Sequence, residues 1–336
     1  MHRPVRLLLR ALPASALLFA GCAGAPSPAG SGAQPGGERP ATSAAPVSIT
    51  NCGETVSVPE PPTKLVTLNQ GATETALALG LADRMVGTAY LDDAVAPALK
   101  TEYDKVEVLA KEYPTKEQFL SAAPDFAYAA YASAFTDKAV GTRAELSKEG
   151  IGTYLSPFGC PKDAPKTEPT FENGWAEISE VARIFGVPDK AEEVVNAQRT
   201  QLESVKSAAA AKGSTIFWYD SGDKTPFVGA GGGGPQLIVD AVGGNNIFED
   251  IDAGWGDGSW EKVVAAQPDV IVLADATWDT AEAKKKYLAA DPTLSKLDAV
   301  KNERYVVIPF SESTPGVRLV DGAESVSAQI AKLPAR

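Results

Sequence analysis

Gly229, Gly231 and Gly234, inside the phrase FVGAGGGGPQLIVD (Phe227 to Asp240), have the G-x-G-x-x-G spacing of a dinucleotide clamp. An apolar run precedes them and a helical run follows, with Glu249 and Asp250 where a ribose-binding acid would stand. Such a clamp needs free backbone N–H groups facing a pyrophosphate at a helix N-terminus. Here Pro235 occupies the first helical turn and supplies none. The phrase also opens the second half of the chain, not its first unit. An exported NAD-dependent enzyme would use this loop. The sequence instead favours a glycine loop at the cleft-side start of a helix, where backbone approaches a ligand or a partner protein closely. That helix start still suits a modest anion.

Other catalytic constellations are missing. The one histidine, His2, lies in an N-terminal segment marked for removal. A mature chain without histidine has no Ser-His-Asp triad, no Cys-His pair and no His-ligated zinc or manganese site. No catalytic residue, resident metal or cofactor is expected, and the chain reads as a non-enzyme.

Binding chemistry is better represented. Asn69 and Gln70 follow the apolar run KLVTL, and Tyr90 and Asp92 close MVGTAYLD. Tyr128 and Tyr131 lie in DFAYAAY, and Tyr219, Asp220 and Ser221 follow TIFW. Asp275 and Trp278 follow DVIVLA, and Phe310, Ser311 and Glu312 end RYVVIPF; the loop DAGWGDGSW adds Trp255 and Trp260. If each run is a strand of an open α/β sheet, these residues sit at the carboxyl ends, where such sheets bind ligands. Aromatic and polar side chains together suit a large, partly apolar ligand with polar edges. Arg318 is the one arginine near a strand end. One arginine among several carboxylates favours a neutral or cationic complex, such as a ferric hydroxamate, over a strongly anionic catecholate. A rival is direct Fe(III) capture, with Tyr128 and Tyr131 as oxygen ligands.

These residues need elements to hold them. Lys64 to Leu68 reads as a buried strand, TETALALGL as a helix stopped by Gly80, and MVGTAY as a second strand. TKEQFLSAAPDFAYAA then runs helix, proline, strand, and SWEKVVAAQPDVIVLA repeats it 144 positions later. In each copy a glutamate, Glu117 or Glu261, stands seven positions before a Pro-Asp pair, Pro124-Asp125 or Pro268-Asp269. Alternating helices and apolar strands imply parallel sheets covered by helices. Two amphipathic helices without a strand signal fill the stretch between the halves. A helical crossing is a stiff hinge, so closure on ligand should be small.

The N-terminus carries Arg3, Arg6 and Arg10, then a short apolar run ending at GCAG. This pattern is an export signal too short to span a membrane, with Cys22 placed for lipid attachment and Phe19 three residues before it. A Pro/Gly/Ser/Ala segment follows that cannot bury enough surface to order itself. About 290 residues remain, comfortable for two domains. Removing the leader's three arginines leaves 28 Lys and Arg against 43 Asp and Glu, a net charge of −15. That field argues against nucleic acid or an anionic membrane surface as a partner. Cys52 and Cys160 remain, and two cysteines in an exported protein are expected to pair; two buried thiols are the alternative.

The phrase NCGETVSVPEPPTKLVTLNQGATETALALGLADRMVG, the two Pro-Asp strands, the bridging helices and DAVGGNNIFED resemble the substrate-binding lipoproteins of ABC importers for ferric siderophores and cobalamin. The resemblance covers roughly residues 47–333 and looks in particular like actinobacterial members with an NCG start. Some of those are assigned to ferric siderophores, and a similar subgroup has been proposed to carry a deazaflavin-cofactor precursor. It implies an α/β fold of two Rossmann-like lobes, parallel sheets with flanking helices, joined by one long bridging helix with the ligand cleft between. It also implies an acid on each lobe that docks onto permease arginines. Glu117 matches the first. At the second position stand glycine and Pro235, so Glu261 or Asp240 substitutes, or that contact is absent.

The resulting organisation is a lipoprotein signal over 1–22, a tether over 23–46, an N-terminal lobe over 47–171, a bridging segment over 172–212 and a C-terminal lobe over 213–336. The expected function is extracytoplasmic capture of an iron-siderophore-type chelate by a lipid-anchored monomer, which delivers it to an ABC permease. Cobalamin, haem or a deazaflavin precursor are alternative ligands, and a cell-surface adhesion module is an alternative of another class.

Overall fold

The computed structural model describes residues 46–334. Cys22 and the whole leader lie outside them. The first half runs β1 (Val47–Asn51), β2 (Glu54–Val58), β3 (Leu65–Leu68), α1 (Gln70–Ala78), β4 (Met85–Ala89), α2 (Lys100–Tyr103), β5 (Val108–Ala110), α3 (Lys116–Ser121), β6 (Phe126–Ala129), α4 (Arg143–Lys148) and β7 (Gly152–Leu155). Two helices follow, α5 (Phe171–Ile184) and α6 (Pro188–Ala208). The second half runs β8 (Thr215–Ser221), β9 (Phe227–Gly229), α7 (Gly234–Ala241), β10 (Asn245–Asn246), β11 (Trp255–Asp257), α8 (Trp260–Ala266), β12 (Val270–Asp275), α9 (Ala281–Ala290), α10 (Asp298–Lys301), β13 (Tyr305–Pro309) and α11 (Leu319–Ile330).

The first lobe is a parallel sheet in the order β5-β4-β3-β6-β7, with the β1–β2 hairpin beside it. The second has the order β11-β9-β8-β12-β13, with β10 also parallel to β8. The three strands legible in the sequence, β8, β12 and β13, are parallel, whereas β9 pairs antiparallel with both β8 and β11. The glycine-rich ends of β9 and β11 hid that ribbon.

The recurring Pro-Asp pair has a mechanical role. The Asp125 carboxylate accepts from the Thr63 backbone N–H and hydroxyl and from the Lys64 N–H, at 2.8–2.9 Å. Asp269 accepts from the Thr215 N–H and hydroxyl, at 2.7 and 2.9 Å. Each aspartate thus fixes the start of the strand next to its own, β3 in one lobe and β8 in the other. Glu117 and Glu261 stand in the first turns of α3 and α8, whose N-caps are Thr115 and Ser259. Both glutamates are exposed, where they complement the helix dipole.

Between the sheets the chain crosses once, through α5 and then the 21-residue α6. The break falls at Gly186-Val187-Pro188, where φ of Gly186 is 69° and a proline restarts the helix. Gln198 on α6 accepts from the Trp175 indole (2.8 Å) and donates to the Val317 carbonyl (2.6 Å), tying α5 to the second lobe. One hydrophobic cluster includes Leu65, Leu77, Phe126, Trp175, Ile178, Leu202, Val205, Trp218, Val270, Ile308 and Val320. It therefore runs through both lobes and both crossing helices without interruption.

Inside that cluster lies a carboxylate. Glu177 of α5 accepts from the Tyr128 hydroxyl (2.6 Å) and the Ser156 hydroxyl (3.0 Å), and burial pushes its carboxyl up to about 7 despite those bonds. The folded value exceeds the unfolded one of about 4.5, so its stabilising contribution is full below that and is lost as pH rises through 7. At pH 8 the charged form costs about 3 kcal/mol relative to pH 4. Glu177→Gln, whose oxygen keeps the Tyr128 bond and whose NH2 donates to Ser156 Oγ once that hydroxyl turns, is expected to gain on the wild type by about that amount between pH 4.5 and pH 8 in urea unfolding. An unchanged gap at the two pH values would refute the assignment.

Candidate functional site

The carboxyl ends of the two sheets approach each other, and most of the polar contacts between the lobes form there. The Thr277 hydroxyl, after β12, donates to the Asp92 carbonyl, after β4, at 3.4 Å. Asp93 accepts from the Ser311 N–H and hydroxyl, after β13, at 2.9 and 2.7 Å.

The floor of this junction is a buried ion cluster around Arg318, at the start of α11. Its guanidinium donates to Ser311 Oγ (2.6 Å), Glu312 (2.9 Å) and the Ala94 carbonyl (3.2 Å), with Glu74 and Asp93 at 3.5 Å. Arg318 is 5 % exposed. This corrects the expectation that Arg318 faces ligand: its fork is spent on three carboxylates, two of them from the other lobe. Burial raises the carboxyls of Glu74 and Glu312, and Arg318 offsets only part of that rise.

Above the floor, each lobe contributes aromatic side chains. On the first, Tyr90 packs edge-on against Tyr113 with centroids 4.6 Å apart. The Tyr113 hydroxyl is bonded to Asn69 (3.0 Å) and Ser133 (2.9 Å). Asn69 and Tyr90 have φ of 75° and 62°, backbone that side-chain-bearing residues rarely adopt and that collects at functional sites. Gln70 is buried and accepts from the Asp92 and Asp93 N–H groups, which shapes the loop after β4. On the second lobe, Phe310 lies against both Trp255 (5.9 Å) and Trp278 (5.1 Å). Trp278 is 54 % exposed and forms the rim.

Tyr131 stands between these groups. Burial first, then the charges of Asp92, Tyr113 and Asp220, hold its hydroxyl above its ordinary value. Since Asp92 belongs to one lobe and Asp220 to the other, Tyr131 marks where they converge. Burial raises the carboxyls of Asp92 and Asp220 to about 6, with neighbouring Asp93 adding to the first.

Three sequence candidates lie elsewhere. Tyr128 is 1 % exposed and donates to Glu177, because strand alternation turns it with Phe126 toward the crossing helix. Tyr128 and Tyr131 therefore do not converge, and the direct ferric-ligand pair is corrected with them. Tyr219 is fully buried, stacked on Phe217 at 5.6 Å, while Asp220 takes the opposite face of β8. Trp260 packs on Phe217 and Tyr219 and donates to the Asp223 carbonyl, inside the second lobe's own cluster. Sequence reasoning missed Tyr113, Ser133, Glu74 and Asp93. Tyr113 follows a three-residue strand too short to read, and Glu74 passes for a surface position of α1.

The glycine loop lines a separate groove of about 500 Å³, shared with the Pro157 to Pro169 segment and its Lys162 and Lys166. Its glycines serve the chain itself. A Cβ on Gly231 would lie 2.0 Å from the Glu249 carbonyl oxygen, and one on Gly234 would lie 1.9 Å from that of Ser313. Asp240, at the end of α7, is exposed and accepts from Gln236 at 2.7 Å. Among the described residues, no cluster of three or more His, Cys, Asp or Glu is arranged to hold a metal ion.

Known proteins resemble this chain in sequence or in fold. An ABC transporter substrate-binding lipoprotein of Bacillus subtilis, YvrC, itself uncharacterized, is 26 % identical over 291 residues, 85 % of either chain. A periplasmic binding protein from Veillonella parvula superposes with a TM-score of 0.75 at 30 % identity, covering 87 % of this chain and 99 % of that one. A structure of an ABC-type Fe3+-hydroxamate transport system from Saccharomonospora viridis gives 0.71 at 23 % identity, covering 84 % and 98 %. These are substrate-binding proteins, not enzymes. A family model described as periplasmic binding protein matches residues 65–312, and this chain, with two α/β lobes meeting at their strand ends, belongs to that family.

Proposed function

We propose that the protein is the substrate-binding component of an ABC importer that captures an iron-siderophore-type chelate outside the cytoplasm. The observation that carries this reading is the pair of aromatic groups at the strand ends, Tyr90 with Tyr113 and Phe310 with Trp255 and Trp278, beside the polar Tyr131, Asp92 and Asp220. Apolar faces with a few convergent polar groups suit a bulky chelate that hides a hard ion inside an organic shell. The Fe3+-hydroxamate neighbour agrees with this, as does a cluster that holds Arg318 away from a catecholate.

In this reading Cys22 carries the lipid anchor, and the exposed first-turn acids Glu117 and Glu261 dock a permease, with Asp240 as the alternative on the second lobe. A thermal-shift and tryptophan-fluorescence panel of ferric hydroxamate, ferric catecholate, haem, cobalamin and a deazaflavin precursor tests the proposal. Ferric hydroxamate is expected to quench Trp255 and Trp278 saturably and to raise the unfolding midpoint. Preference for haem, cobalamin or the deazaflavin precursor would replace the siderophore, and silence across the panel would reject the importer reading.

A further inference from the structure

The junction between the lobes holds two carboxylates, Asp92 and Asp220, that no lysine or arginine among the described residues joins in a salt bridge. Asp220 is 5 % exposed, at the end of β8. Its Oδ2 accepts from the Ser221 hydroxyl at 3.1 Å, and its buried Oδ1 has no hydrogen-bond partner in the protein. An unpaired buried oxygen of this kind is costly unless something else supplies a donor. Across the junction, Asp92 commits its N–H to Gln70 and its carbonyl to Thr277, while no lysine or arginine is among the charges that bear on its carboxylate.

The two nearest cations are already committed. Arg318 is held by Glu74, Asp93 and Glu312. Lys284, which bears on Asp220, donates its Nζ to the Ala274 and Asp279 carbonyls at 2.6 Å. Close by, Trp255, Phe310 and Trp278 present aromatic surface on one lobe, and Tyr90 and Tyr113 on the other. Rings of this kind attract a cation by their quadrupole.

We infer that the cleft selects for positive charge: an alkylammonium group, or a chelate carrying one, seats against the unpartnered Asp220 carboxylate, with Asp92 of the other lobe adding to the negative field, its apolar body against Trp255 and Phe310. This rests on the reading of the cleft as the ligand site and adds the sign of the ligand's charge. An anionic ligand would meet Asp92 and Asp220 without a free counter-ion.

Two ferric trihydroxamates with the same iron sphere, one ending in a free primary amine and one with that amine acetylated, separate charge from chelate. The wild type is expected to bind the amine form about tenfold or more tighter. Asp220→Asn and Asp92→Asn should each bring the ratio to about threefold or below. Glu203→Gln, on the exposed side of α6, should leave the ratio intact. Equal affinities in the wild type, or a preference that survives both aspartate changes, would overturn the inference.

If neither chelate binds, the siderophore reading fails and the charge inference is decided without iron. Phenethylamine is then expected to raise the unfolding midpoint where N-acetylphenethylamine does not, and equal effects would overturn it. Unfolding midpoints of the two variants confirm that they fold.

Discussion

Arg318→Met is expected to destabilise the protein by about 3 to 5 kcal/mol, the cost of removing one partner from a buried ion cluster. The change strands Glu74, whose side chain is 2 % exposed, with Asp93 and Glu312, and nothing else cationic reaches them. Glu74 keeps the Ala96 N–H at 2.8 Å, and Asp93 keeps Ser311, so hydrogen bonds survive while charge balance does not. Urea unfolding at pH 7.5 measures the loss. Adding Glu74→Gln and Glu312→Gln to the same variant should recover a large part of it. A loss below about 1 kcal/mol would mean that the carboxylates are already neutral, and the electrostatic account of the floor would be wrong.

Breaking the Cys52–Cys160 disulfide should cost about as much. The two cysteines are bonded, closing a loop with a sequence separation of 108 that contains the whole five-stranded sheet of the first lobe. Constraining a loop of that length removes about 4 to 5 kcal/mol of freedom from the unfolded chain. The folded lobe should barely change, because the β1–β2 hairpin is also held by Asn51, which exchanges hydrogen bonds with the Leu155 backbone, and by Arg143, which donates to Asn51. A Cys52→Ser, Cys160→Ser variant should therefore retain ligand binding while its guanidinium midpoint falls. Loss of binding at full stability would place the bond in the site and not in the unfolded state.

Much of this architecture was legible. Lys64 to Leu68, the Pro-Asp repeat and the three second-half strands announce themselves because parallel strands covered on both faces are continuous apolar runs. The site was legible by location more than by identity. The structure brings Asn69, Tyr90, Tyr131, Trp255, Trp278 and Phe310 to the junction. Tyr128 and Tyr219 failed because one residue of register decides which face of a strand a side chain takes. Arg318 failed for another reason: its partners Glu74 and Asp93 lie more than two hundred residues away in sequence, and no local pattern reveals a pairing at that distance.

The uninterrupted apolar cluster through α5, α6 and both sheets bears on cooperativity. Each lobe also has a cluster of its own, around Leu68 and Phe119 in the first and Phe217 and Leu273 in the second, and lobes with those alone would melt as two units, each able to open while the other stays folded. Here, losing either sheet exposes the helices against which the other is packed, so partial unfolding gains little chain entropy and sacrifices burial on both sides. The protein should persist or unfold as one piece, and stabilisation gained at the ligand site is shared by the parts of the chain farthest from it.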